Sequence, residues 1–124
     1  MNKTHLIIKP DGTDLASRFS ARNLRYQVQQ EAANNIVNID LTNVISISES
    51  YADELFAVLV EENGLEWFSN RIKISFSQNS GHISRVIATA IRRRLSEQTS
   101  SSIKASVQQL ISTKKSTPNQ VNFV

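Results

Sequence analysis

The stretch Ile36 to Leu41, IVNIDL, is almost unbroken in apolar and β-branched side chains. A run this short is the mark of a strand buried on both faces rather than of a helix, whose apolar residues would recur at three and four. Such a strand needs helices packed on its sheet, so these six residues predict an α/β protein with IVNIDL at the sheet's centre. Breakers bound the run, Asn34-Asn35 before it and Asp40 to Thr42 after it.

The flanking segments fit that frame. THLIIK, Thr4 to Lys9, is a short β-rich run closed by Pro10-Asp11-Gly12, in which proline presets φ and glycine accepts the left-handed region. This first strand is free to run antiparallel to its neighbour. From Asp14 to about Asn34 the pattern predicts a helix, with Asp14 or Ser17 as its cap and Ala21, Leu24, Val28 and Ala32 on the core face. Arg18, Arg22 and Arg25 form a stripe beside that face, the arrangement of a solvated surface or of contacts to Asp40 or Asp53 or to an anion. After IVNIDL a loop through Val44 and Ile47 leads to a second helix carrying Ala52, Leu55, Phe56, Leu59 and Val60, stopped by Asn63-Gly64. Leu65 to Asn70 reads as a connector or helical turn that packs Trp67 and Phe68. RIKISFS, Arg71 to Ser77, alternates as a half-buried strand, and Ile83 to Leu95 as a helix with a wide apolar stripe. The expected fold is therefore a small α/β domain, a mixed, mostly parallel sheet of about four strands with three to four helices.

Composition narrows the function. The chain of 124 residues matches one ordinary domain, and its 40% hydrophobic content can supply a core. Zero cysteines exclude a disulfide framework, a thiolate nucleophile and a thiolate zinc site, and two histidines cannot build a metal centre alone. No window approaches the roughly 20 apolar residues of a membrane span, so the expectation is a soluble cytoplasmic protein that makes no membrane contact. Charge is unevenly spread. Residues 1 to 80 hold seven basic and ten acidic side chains, residues 81 to 124 seven basic and one acidic. The polar stretch QTSSS, Gln98 to Ser102, separates an expected domain of residues 1–99 from a basic extension of residues 100–124, read as a short helix around Val107, Leu110 and Ile111 and then a flexible tail from Thr113.

Between the central strand and the second helix lies ISISES, Ile45 to Ser50, with Ser46, Ser48 and Ser50 at spacing two. A helix start leaves N–H groups unpaired, and a serine oxygen can accept from one of them. Ser48 and Ser50 are both candidates. Ser50 has Asp53 three residues on, an imperfect capping box, and Asp53-Glu54 suits the positive end of the helix dipole. One cap needs one serine, which leaves another open to the reading of a modified switch.

The string Asp40-Leu-Thr-Asn-Val44, followed by Ile47-Ser-Glu-Ser-Tyr-Ala-Asp-Glu-Leu-Phe56, resembles the STAS-like family of unknown function, whose members carry Asp-Phe-Ser-Gly-Val and then Ile-Ser-x-Ser-Phe-Ala-Asp-Glu-Leu. Gly12-x-x-Leu15-x-Ser17-Arg18 with Ala21-Arg22 is similar to that family's upstream segment, and the order through Gly64, Phe68, the strand at Ile72 and Arg92 to Arg94 is kept, so the likeness spans roughly residues 10 to 95. STAS domains proper, the anti-sigma factor antagonists and sulfate-transporter modules, are non-enzymatic protein-binding domains in which a serine at the start of the corresponding helix can be phosphorylated by a kinase-like ATPase partner. Carried over, that serine is Ser50 or Ser48, with Tyr51, Asp53 and Asp40 beside it and Arg18 and Arg22 as anion or partner contacts. This chain departs from the antagonists at Ser48-Glu49-Ser50-Tyr51, where they show Asp-Ser-Ser-Gly, and from the family at Asn43, where glycine is preferred.

The resemblance thus implies a non-enzymatic regulatory interaction domain, free of cofactors, with a protein partner and self-association left open. The alternative from another class is a nucleic-acid-binding protein using Arg85, Arg92, Arg93, Arg94, Lys104, Lys114 and Lys115 to neutralise phosphates. Catalysis has the least support. The chain lacks a phosphate-binding loop with lysine, a dinucleotide glycine fingerprint and a zinc helix motif, and an Asp40–Asp53 carboxylate pair is the remaining candidate.

Overall fold

A computed structural model describes the backbone of residues 4–116 and the side chains of residues 4–99. The chain divides into two units, Met1–Arg94 and Leu95–Val124. In the first, β1 (Thr4–Ile8) is followed by a two-residue strand β2 (Asp14–Leu15), helix α1 (Arg18–Ala32), β3 (Asn35–Asp40), a second two-residue strand β4 (Ser46–Ile47) and helix α2 (Glu49–Ala52). A π-helical turn, Asp53–Ala57, joins α2 without a break to α3 (Val58–Asn63). Then come α4 (Leu65–Arg71), β5 (Ile72–Ser75) and α5 (Gly81–Ser116).

The expected α/β class holds, and β3 is the central strand, in the order β1-β3-β5. Three expectations are corrected. The first strand is parallel, with Leu6 opposite Val37 and Ile8 opposite Ile39, and β5 is parallel on the other side. Asp14 and Leu15 do not open the helix. They pair in parallel with Ser46 and Ile47 of the expected loop to make a separate small sheet, so the strands divide as three and two. Two-residue strands carry no periodicity, and their pairing partners lie 32 residues apart.

The third correction concerns coverage of β3. Val37 and Ile39 are wholly buried, with Ile8 and Ile72 beside them on the same face of the sheet. On the opposite face Ile36 and Asn38 are only half-buried, while the neighbouring Ile7 is 75% exposed and Lys73 is exposed. One face of the sheet therefore carries the core, and the other is partly open. IVNIDL is apolar beyond what one buried face requires, since with a period of two only alternate residues point inward.

The core is built from α1, β3, the helical segment after it and the start of α5, with Val28, Leu41, Leu55, Phe56, Leu59 and Ile83 fully buried. Helix boundaries follow local chemistry. Ser17 caps α1, its hydroxyl oxygen accepting from the Ser20 N–H at 3.2 Å. Gly64 takes φ +95° between α3 and α4, a conformation that side-chain-bearing residues rarely adopt, and its N–H donates back to the Val60 carbonyl at 2.7 Å. Helix α5 passes through QTSSS and through the expected short helix at Val107 to Ile111 without interruption, and its backbone stays helical to Ser116, beyond the expected start of the tail at Thr113. The remainder of that tail, residues 117–124, lies outside the described residues. Among the described residues no helix is long and apolar enough to cross a membrane.

Candidate functional site

The three serines of ISISES have three different fates. Ser46 donates its hydroxyl to Asp14 Oδ1 at 2.7 Å, tying β4 to β2. Ser48 is the N-cap: its Oγ accepts from the Tyr51 N–H at 3.0 Å and donates to the Ala16 carbonyl at 3.0 Å, so one hydroxyl closes the helix and anchors it to the segment before α1. The cap is thus Ser48, and Ser50, the other candidate and the one with capping-box spacing to Asp53, is the second residue of α2. Ser50 is exposed, and its hydroxyl makes no hydrogen bond among the described residues. Spacing could not separate the two, because the Ala16 carbonyl that selects Ser48 is 32 residues away.

Three residues further on, the chain buries charge. The arginine stripe of α1 points at the π turn. Arg18 Nη1 donates to Asp53 Oδ2 at 3.0 Å and to Glu54 Oε1 at 2.9 Å, Arg22 Nε reaches Glu54 Oε2 at 3.4 Å, and Arg25 Nη2 reaches the same oxygen at 2.8 Å. Arg25 Nε also donates to the Glu54 backbone carbonyl at 2.8 Å, inside the turn where the ladder has stepped from i+4 to i+5. The Arg25 and Glu54 side chains are only 10% and 9% exposed. From the other side, Arg94 of α5 grips Asp53 with two guanidinium nitrogens, Nε to Oδ1 at 2.8 Å, and reaches Glu61 at 3.0 Å. An arginine–carboxylate network therefore clamps α1 and the first part of α5 onto the helical segment between them.

Its electrostatics follow from those contacts. The Arg94 hydrogen bond, with that of Arg18 and against the effect of burial, holds the Asp53 carboxyl below the usual carboxylate range. Burial acts to raise Glu54, but the hydrogen bonds from Arg25, Arg18 and Arg22 more than offset it, and its pKa is also lowered. Arg94 is raised chiefly by its hydrogen bond to Asp53. Among the described residues, no buried side-chain polar atom lacks a hydrogen-bond partner. Asp53 and Glu54 are thus held as carboxylates by their arginine partners.

The other sequence candidates separate. Asp40 ends β3 in a tight turn, its Oδ1 accepting from the Thr42 hydroxyl at 2.6 Å and from the Thr42 N–H at 2.9 Å, with Lys9 at 3.9 Å. The Thr42 hydroxyl bond, foremost, lowers its pKa. Asp40 and Asp53 thus have entirely different partners. Tyr51 is buried at 3% exposure, its side chain turned into the fold beside the serine turn. In the basic third, Arg94 is occupied by Asp53 and Glu61, Arg93 pairs weakly with Glu49 at 3.4 Å, Arg92 reaches Thr89, and Arg85 is exposed. The side chains of Lys104, Lys114 and Lys115 lie outside the described residues. The sequence presents Glu54 as a first-turn acid suited to the helix dipole, and marks neither it nor Glu61 as a partner of the arginines. The available signal was a carboxylate inside the otherwise buried apolar run Tyr51 to Val60, a position a charge occupies only when paired. Among the described residues, no group of three or more histidine or carboxylate side chains could hold a metal ion.

A parallel sheet centred on the strand that feeds a serine-capped helix defines a small α/β domain of the STAS-like kind. The chain belongs to the family of STAS-like domains of unknown function, which matches residues 20–82 and so spans the cap, the π turn and most of the arginine stripe, a shorter stretch than the 10 to 95 read from the motifs. No curated protein and no solved structure matches the chain.

Proposed function

We propose that this chain is a non-enzymatic regulatory protein–protein interaction domain of the cytoplasm, in which the turn at Ser46 to Ser50 and the start of α2 dock a protein partner of the kinase-like ATPase class. Ser50 is the point of phosphorylation. The observation that carries this is the division of labour among the serines: Ser46 and Ser48 are committed to internal hydrogen bonds, and Ser50 is exposed in the first turn of the helix with no hydrogen-bond partner for its hydroxyl among the described residues.

A phosphate there would sit where the helix dipole favours an anion. Glu49 and Asp53 oppose it, but Asp53 is already held by Arg18 and Arg94, which removes much of the repulsion. Arg18, itself part-exposed, could then be drawn from Asp53 to the phosphate, loosening the contact between α1 and the π turn. Phosphorylation would in this way be read out as a changed surface and a changed clamp. The locked state of the buried charges supports a binding role over proton-transfer chemistry, and no cofactor enters the scheme.

The test is to purify the tagged chain from its native host, with and without nuclease, and read the Ser46 to Ser50 peptide and the co-purifying proteins by mass spectrometry for wild type, Ser50→Ala and Ser50→Glu. The expected result is phosphate on Ser50 and a nuclease-resistant partner retained by Ser50→Ala but lost by Ser50→Glu. Unmodified Ser50 with identical partners for all three proteins would refute the switch. Co-purification that disappears with nuclease would favour the basic C-terminal third as a nucleic-acid surface.

A further inference from the structure

Between the carboxyl end of β1 and the first turns of α1 lies an open cavity of about 540 Å³, within the size range of small-molecule sites. Asp11 lines it from the β1–β2 turn, Asp14 from β2, Asn23, Leu24 and Gln27 from α1, and Tyr51 from α2. Tyr51 is 97% buried, yet its phenol hydroxyl makes no hydrogen bond among the described residues, and it is not sealed off either, since no fully occluded side-chain oxygen there is unpaired. A buried tyrosine normally finds a partner for its hydroxyl. This one belongs to a side chain that lines the cavity.

The charges around that hydroxyl choose the partner. Asp11 forms no ion pair among the described residues, and Asp14 engages one oxygen with Ser46 and leaves the other free. Lys9, also on the rim, is drawn toward Asp40 at 3.9 Å. Burial, aided by the negative charge of Asp11, pushes the Tyr51 phenol up to about 12 and keeps it neutral at physiological pH. An anion would meet two carboxylates. A neutral polyol would leave them without a counter-charge.

We propose that this cavity binds a small organic cation, an ammonium or guanidinium group on a short aliphatic stem, whose N–H groups donate to the Asp11 carboxylate, the free Asp14 oxygen and the Tyr51 phenol oxygen while the stem lies against Leu24. Asn23 and Gln27 present amide groups that can turn either end to the ligand. Both a free diamine-like metabolite and a lysine or arginine side chain offered by a partner protein have this chemistry. The site does not involve Ser50, so it stands or falls separately from the phosphorylation reading.

The experiment is an amide-shift titration of the isotopically labelled full chain with agmatine, with the capped tripeptide Gly-Arg-Gly, with inorganic phosphate and with xylitol at matched ionic strength. Saturable shifts confined to the Asp11, Asp14, Asn23, Gln27 and Tyr51 region are expected with agmatine. Asp11→Asn should weaken binding roughly fivefold to tenfold, a charge-assisted hydrogen bond being exchanged for a neutral one. Tyr51→Phe, which removes only an unpartnered hydroxyl and should leave the spectrum folded, should weaken it about threefold, the loss of one neutral hydrogen bond. Shifts from agmatine alone assign the site to free amines, and shifts from the tripeptide as well assign it to a partner's side chain. Absence of saturable binding by both cations, tighter binding of phosphate or xylitol, or an Asp11→Asn protein that binds as well as wild type would overturn the proposal.

Discussion

Replacing Glu54 by glutamine keeps the shape of the side chain and removes the charge that three arginines surround. The consequence is set by burial. Arg25 is left 10% exposed with its principal counter-charge gone, while its Nε bond to the Glu54 carbonyl holds it in place and prevents it from swinging into water. Removing one partner of a buried ion pair costs roughly 3–5 kcal/mol. The remaining glutamine oxygen can still accept one hydrogen bond, and Arg18 retains Asp53, so the expected loss is at the lower end, about 3 kcal/mol. With a urea m-value of roughly 1.5 kcal/mol/M for a domain of this size, the unfolding midpoint should fall by about 2 M. The control is Arg22→Gln. Its side chain is 46% exposed and its contact with Glu54 is 3.4 Å long, so it should cost under about 1 kcal/mol. Urea unfolding followed by far-ultraviolet circular dichroism measures both. If Glu54→Gln lies within about 1 kcal/mol of wild type, or if Arg22→Gln is as costly, the network is a surface feature and burial is not what gives it weight.

Three further outcomes follow from the same geometry. Asp53 and Glu54 have folded-state pKa values below their unfolded ones, so their contribution is complete above the unfolded carboxylate range and is lost as pH falls below about 4 through the folded values; the urea midpoint should drop in that window, and by less in Glu54→Gln. Ser48→Ala removes the cap and the tie to Ala16 and should cost about 1 to 2 kcal/mol, whereas Ser50→Ala should be close to neutral, a contrast that thermal unfolding will resolve. Gly64→Ala forces a side chain into φ +95° and should destabilise by about 1 kcal/mol or more, although nothing within 4 Å would touch the new methyl group; a neutral result would show that the α3–α4 junction can relax.

Several parts of this site were legible in advance because they depend on near neighbours. Gly64 after Asn63 stops a helix by backbone conformation alone, and Ser17 three residues before Ser20 is a cap that needs nothing from elsewhere. The serine turn could be located but not resolved: local capping rules favoured Ser50, and the Ala16 carbonyl settled on Ser48. The stripe of Arg18, Arg22 and Arg25 was visible as a stripe. Its contact with Asp53 was among the expected ones, but its main counterpart, Glu54, was not. Ion pairs across 29 to 36 residues leave no periodic trace, and a carboxylate in an apolar run points to a partner without saying which.

What the sequence determined by itself is the α/β class, the central place of Ile36 to Leu41 and the helices on either side, since hydrophobic periodicity and breakers act over a few residues and the same pattern has few ways of burying itself. Only the tertiary structure decided the parallel direction of β1, the pairing of Asp14-Leu15 with Ser46-Ile47, the open face beneath Ile7, the π turn gripped by Arg25, and the cavity onto which Tyr51 opens. Each of these depends on which distant groups meet once the chain has condensed, where an unpaired charge or hydrogen-bonding group is far more costly than in water.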